Sequence, residues 1–85
     1  MAPVTIYTTM FCPYCLSAKR LLKAKGIEFT EIDVTMKPDL REEMKTRSGG
    51  RRTVPQIFIG SRHIGGSDEL HALDAKGELD VLLAG

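Results

Sequence analysis

No apolar run in the sequence exceeds a few residues, so no segment can cross a bilayer as a helix. The opening Met1-Ala2-Pro3 has neither a positively charged region nor an apolar one. No secretory signal is therefore expected, and a cytoplasmic location is the default. Neither sign of charge is in excess: twelve basic and eleven acidic side chains give +1. That balance excludes bulk affinity for nucleic acid. Internal repeats, linkers and low-complexity stretches are lacking too. Histidine and cysteine are scarce, with two of each. His63 and His71 lie seven intervening residues apart, which misses the close ligand spacing of a zinc site, so no metal is expected. Each histidine reads as an ordinary surface or hairpin residue.

What is present is a chain of 85 residues, 42% hydrophobic and 27% charged. That is the balance of an ordinary globular chain with room for one domain, residues 1–85, and one modest core. A monomer is the default. The charge is unevenly placed. Lys19, Arg20, Lys23 and Lys25 make a local +4, and the stretch from Gly66 to Gly85 has five acids against Lys76, a local −4. Between them, Lys37 to Arg52 carries +3. Solvated helix faces are the plain reading. A small anionic ligand or acidic partner near the first basic stretch is the sharper one.

The only cysteines stand in Cys12-Pro13-Tyr14-Cys15. A structural disulfide here would close a loop of four residues. Such a loop yields only about 2 kcal/mol before strain is subtracted. Redox chemistry remains, and its test is the surrounding structure. Val4-Thr5-Ile6-Tyr7-Thr8 is alternating and β-branched, which predicts a strand. Pro13 suits the first position of a helix; Cys15, Leu16, Ala18, Leu21 and Leu22 recur at helical spacing, and Gly26 suits its end. The stretch from Ile27 to Val34 predicts a second strand, and together these make a right-handed βαβ unit. Cys12 then falls at the helix N-cap, where free amides and the positive dipole end favour a thiolate. Cys15 lies one turn inward. Cys12 is expected to attack and Cys15 to resolve.

Further on, Pro38 opens a second helix through roughly Arg47, with Leu40 and Met44 on one face. Val54 to Ile59 reads as a strand beginning at a proline, Gly60-Ser61 as a tight turn, and Arg62-His63-Ile64 as the return strand. Gly65-Gly66 reads as a flexible link, Ser67 as the N-cap of a third helix, and Gly77 as the residue after its end. Leu70, Leu73, Leu79, Leu82 and Leu83 are expected to face the core. The order βαβαββα predicts an α/β fold with a mixed four-stranded sheet and three main helices.

Cys12-Pro13-Tyr14-Cys15, Thr53-Val54-Pro55 and Gly65-Gly66-Ser67-Asp68, in that order, resemble the glutaredoxins of the small bacterial dithiol type. The resemblance spans Val4 to Leu83. It implies a thioredoxin-like fold and a glutathione-dependent oxidoreductase that reduces protein disulfides and glutathione mixed disulfides. Cys12 would be the nucleophile and Cys15 the resolving thiol. Glutathione, as reductant, would lie against Tyr14, Thr53, Val54 and Pro55. Val54 would pair with it as an added strand, and Pro55 would be cis. Gly66, Ser67 and Asp68 would take its γ-glutamyl end, and Arg41 its glycyl carboxylate. Ribonucleotide reductase is among the protein partners the family implies. Met10 and Phe11 would form an exposed apolar rim for protein substrates. One departure stands out: Thr9 occupies a position where related glutaredoxins commonly carry lysine. Two other functions compete with this one. An iron–sulfur carrier ligated by Cys12 and glutathione is disfavoured by the stiff, bulky Pro13-Tyr14 pair. A donor reduced by thioredoxin reductase would be told apart by its preference for that reductase.

Overall fold

Alternation along Val4–Thr8 sends Val4 and Ile6 to one face of a sheet and Tyr7 to the other, and each finds its own core. The computed structural model describes residues 2–84. In chain order they form β1 (Val4–Thr8), α1 (Pro13–Ala24), β2 (Thr30–Asp33), α2 (Pro38–Arg47), β3 (Gln56–Ile59), β4 (Arg62–Gly65), α3 (Ser67–Ala75) and α4 (Glu78–Ala84). The sheet order is β2-β1-β3-β4. β1 runs parallel to β2, while β1–β3 and β3–β4 are antiparallel. This is the mixed sheet expected from the sequence.

Helix α1 buries Cys15, Ala18 and Leu22, positions three and four apart that share one stripe. Ala18 and Leu22 pack with Val4, Ile6, Ile57, Ile59 and Leu70 in the larger core. Leu16, one step round the helix from Cys15, falls off that stripe and is 46% exposed. On the opposite face Met44 of α2 packs with Tyr7, Val34 and Phe58, and Leu40 lies against them. Arg47 covers this core. Its guanidinium sits 4.3 Å from the Phe58 ring centre and donates to Tyr7 Oη at 2.7 Å, and Tyr7 in turn donates to Glu43 at 2.9 Å.

Four local expectations need correction, each for a stated reason. β2 begins at Thr30 rather than Ile27, because Ile27 still closes α1: its amide donates to Leu22 O and the amide of Gly26 to Lys23 O, both at 3.0 Å. β3 begins at Gln56, since Pro55 has no N–H to give the ladder. Gly65-Gly66 is no flexible link. Gly65 ends β4 at φ +121, and Gly66 is itself the N-cap of α3, so Ser67 is the first helical residue and is buried. The cap comes from within the helix, as the Gly66 amide donates to Glu69 Oε1 at 2.6 Å. Lastly, Gly77 (φ +73) separates α3 from a fourth helix, which buries Leu79 and Leu83 on its own account.

The first basic stretch meets the acidic one at the end of α1. Lys25, at the end of α1, pairs with Asp74 at 2.8 Å and Asp80 at 3.1 Å. The histidines serve packing: His63 Nε2 lies 2.6 Å from Gln56 Oε1, and His71 Nδ1 lies 2.8 Å from the Ser67 carbonyl.

The β4–α3 corner makes two testable demands. A Cβ on Gly65 would stand 2.5 Å from Glu69 Oε1 and 2.9 Å from its Cγ, in a backbone conformation that disfavours side chains. Gly65→Ala should therefore lower stability by about 2 kcal/mol, read from the denaturant midpoint. The Gly66 amide, helped by Arg51 and opposed by burial, holds the Glu69 carboxyl below its ordinary value of 4.5. With its folded value below its unfolded one, the contribution is present above pH 4.5 and fades as pH falls through the folded value. Native protein should thus lose stability on acidification below pH 4.5 more steeply than Glu69→Gln, as measured by urea denaturation across that range.

Candidate active site

The two cysteines are placed by the turn between β1 and α1. Phe11 takes a left-handed conformation (φ 60) that swings the chain round to the helix start. The turn is tied down from β2: the Met10 amide donates to Thr35 Oγ1, and the Thr35 amide to Asp33 Oδ1, both at 2.8 Å. Cys12 comes next as the N-cap of α1, with extended dihedrals (φ −98, ψ 113) and no side-chain capping bond. Its carbonyl accepts the first helical bond, from Leu16 at 3.1 Å. Its sulfur is thus free of capping duty and sits at the N-terminal end of α1.

Cys15 lies one turn further and is only 2% exposed. Its thiol is pushed up to about 11. Burial is the main cause, and the hydrogen bond to the Cys12 sulfur adds to it; the Thr9 backbone and the Lys19 charge act in the opposite direction. Both thiols are free, Cys12 partly exposed and Cys15 buried. Cys12 is thus the thiol open to solvent, and Cys15 lies behind it on the helix.

Cys12 faces the start of β3. Its Sγ donates to the Val54 carbonyl over 3.9 Å, and the Val54–Pro55 bond is cis. From there a cleft of about 230 Å³ runs along Tyr14, Thr53, Val54 and Pro55 to Gly66, Ser67 and Asp68 at the N-terminus of α3. Three separate chain segments are thereby brought together. Arg41 is not among them: it lines another hollow with Glu42, Lys45 and Arg52, and donates to the Arg52 carbonyl at 3.3 Å. Arg51 and Glu69, absent from the residues expected on sequence, do line the cleft and pair with each other at 3.3 Å. The available signal for Glu69 was its capping-box spacing from Gly66. Arg51 offered only its nearness in sequence to Thr53.

A second groove of about 470 Å³ holds Cys12 and Cys15 themselves, and it is lined further by Met10, Phe11, Leu16, Lys19 and Glu31. Phe11 is 95% and Met10 56% exposed, so an apolar rim stands beside the cysteines. Among the described residues, no three His, Cys, Asp or Glu side chains gather as a metal site. Nor is any described helix long and apolar enough to cross a membrane.

Comparison with known proteins agrees with this geometry. The Glutaredoxin family profile matches residues 4–64. The chain is 58% identical over 83 residues to glutaredoxin 3 of Escherichia coli strain K12, covering 98% of this chain and 99% of that one. A solution structure of glutaredoxin from Brucella melitensis superposes with a TM-score of 0.85 at 59% identity, over 98% of this chain and 89% of the other. A crystal structure of a buckwheat glutaredoxin–glutathione complex gives 0.87 at 28% identity, over 98% and 77%. The fold is thus the thioredoxin-like fold of these proteins, with its four-stranded mixed sheet and four helices. A Cys-Pro-Tyr-Cys pair at a helix start, set against a cis-proline turn on that fold, makes the chain a member of the glutaredoxin family and a thiol–disulfide oxidoreductase.

Proposed function

We propose that glutathione is the electron donor, and that the protein reduces glutathione mixed disulfides and protein disulfides through Cys12. The observation that carries this reading is the cleft running to the N-terminus of α3 from Val54, whose carbonyl faces the Cys12 sulfur. An extended tripeptide thiol laid along it would pair its cysteinyl backbone with Val54, as an added antiparallel strand. Its sulfur would then stand beside Cys12. Tyr14, Thr53 and Pro55 would flank it. The first amides of α3, at Ser67 and Asp68 beyond Gly66, suit the γ-glutamyl carboxylate, and the Asp68 carboxylate suits its ammonium group. Arg51 supplies a cation at that end. Arg41 would reach the glycyl carboxylate only by leaving its bond to the Arg52 carbonyl. The buckwheat relative, solved as a glutathione complex, supports the choice of ligand.

In the single-thiol cycle, Cys12 thiolate attacks the glutathione sulfur of a mixed disulfide, and the reduced protein leaves as a thiolate that takes up a proton. A second glutathione thiolate then attacks the glutathione sulfur held on Cys12, releasing glutathione disulfide and regenerating Cys12. In the dithiol cycle Cys12 attacks a protein disulfide, Cys15 displaces the bound protein thiol, and glutathione reduces the resulting Cys12–Cys15 bond. A potential of about −200 to −230 mV suits that donor. The reading takes residues 1–85 as one domain acting as a monomer in the cytoplasm. Its substrates are glutathionylated and disulfide-bearing proteins, of which ribonucleotide reductase is an example. Pro13 and Tyr14 leave little space beside Cys12 for an iron–sulfur cluster.

The deciding assay is reduction of a small glutathione mixed disulfide, coupled to glutathione reductase. Cys12→Ser should lose activity by at least about 100-fold, whereas Cys15→Ser should keep it within a few-fold. Activity supported by thioredoxin reductase and not by glutathione would refute the choice of donor. Thr9→Lys adds a cation to the groove that holds Cys12 and should lower the apparent KM for glutathione by about two- to fivefold in the same assay.

A further inference from the structure

Cys15 presents a difficulty that the cysteine pair alone does not solve. The resolving thiol must ionise to attack, yet it is buried, and burial opposes the charged form. Something near it must favour the charged form at the moment of attack.

Lys19 is placed to do so. It lies four residues after Cys15 on α1, on the same face, and helical side chains lean back toward the preceding turn. It is no freely moving surface lysine: its side chain is 24% exposed, and its Nζ bonds Glu31 Oε2 at 3.0 Å. Glu31 is anchored in turn by Thr8 Oγ1 at 2.7 Å, and Thr8 is fully buried at the end of β1. The lysine is thus tethered to the sheet beneath the cysteine pair. Lys19, Glu31 and both cysteines line the 470 Å³ groove, which gives a departing proton a path to solvent. The titratable and charged groups facing this space are the two thiols, Lys19, Glu31 and Asp33. Thr8, with Lys19 also lowering and burial opposing, keeps the Glu31 carboxyl below its usual range, so Glu31 serves as an anchor and not as a base at neutral pH. Asp33 is occupied by Thr35.

We propose that Lys19, tethered by Glu31, is a positioning residue for the resolving half of the cycle, holding positive charge against Cys15 as that thiol ionises and attacks Cys12. The proposal rests on the dithiol cycle described above. Cys15 gives its proton to water in the groove, and its thiolate forms a bond to Cys12 Sγ. The bond from Cys12 to the substrate sulfur breaks, and the substrate thiolate takes a proton from water. The two cysteines are oxidised by two electrons and the substrate disulfide is reduced by two. The attack of Cys12 itself makes no use of Lys19.

The two halves separate in one experiment. Reduced protein is mixed with one equivalent of 4,4′-dithiodipyridine, an uncharged disulfide whose thiopyridone products absorb light. The first thiopyridone reports attack by Cys12, and the second reports displacement by Cys15. Lys19→Met should slow the second phase by about five- to tenfold at pH 7, move its pH profile to higher pH, and leave the first phase within twofold. Lys19→Arg should restore most of the rate, and Glu31→Gln should give an intermediate loss. An unchanged second phase in Lys19→Met, or equal slowing of both phases, would overturn the proposal. A second phase that survives in Cys15→Ser would overturn the dithiol cycle, and the proposal with it.

Discussion

The antiparallel pairing of β1 with β3 is the constraint on which the site depends. It sets Tyr7 opposite Gln56 and Ile6 opposite Ile57. The turn leaving β1 and the turn entering β3 therefore lie side by side at one end of the sheet. Cys12 stands in the first and Val54 in the second, although 42 residues separate them. A slip of β3 by one residue would send Ile57 to the face of Tyr7 and Phe58 to the face of Ile6, mixing the contents of the two cores. Apolar side chains on both faces thus fix a register whose consequence is the contact between a sulfur and a carbonyl.

Around that junction the chemistry is graded by depth. The outer cysteine has the helix start to itself because no side chain caps α1. The inner one sits on the buried stripe, where an alanine or leucine would otherwise be. The same helix therefore supplies one accessible thiol and one buried thiol. The cleft beyond Val54 and the groove that holds the pair differ in the same ordered way. One offers backbone and a helix terminus, which suit a small peptide; the other offers apolar side chains with a lysine beneath them, which suit a larger surface.

Most of this architecture is legible in the sequence because its signals are local. Val4–Thr8 alternates, Pro13 and Pro38 mark helix starts, and the Cys-Pro-Tyr-Cys string lies between a strand and a helix. The observed bounds of α2, Pro38 and Arg47, are those its sequence predicts. The features that escape such reading are settled by partners distant in space or by side chains reaching back. Nothing in Ser67 shows that Gly66 takes the cap instead; that outcome needs the Glu69 carboxylate and a β4 turned so that Gly65 can pass beneath it. Leu79 and Leu83 read as core residues and are buried, but Gly77 interrupts the pattern and conceals the separate helix that carries them. Arg41 and Arg51 are indistinguishable as letters, and only the path of the chain before Thr53 decides which one enters the cleft.

The sheet order also bears on what the molecule leaves alone. Its two outer strands are β2 and β4, and an open strand edge invites any extended chain to join it. Here the edges are guarded. β2 carries Glu31 and Asp33, and β4 carries Arg62 and His63 along with an irregular register against β3 at Ile57/Phe58. Stray strands meet charge at both margins. The segment at Val54, by contrast, is short and bounded by a proline, and it lies under the cysteine sulfur. On the proposed reading, backbone pairing is thereby confined to the few residues where a pairing partner also reaches the thiol.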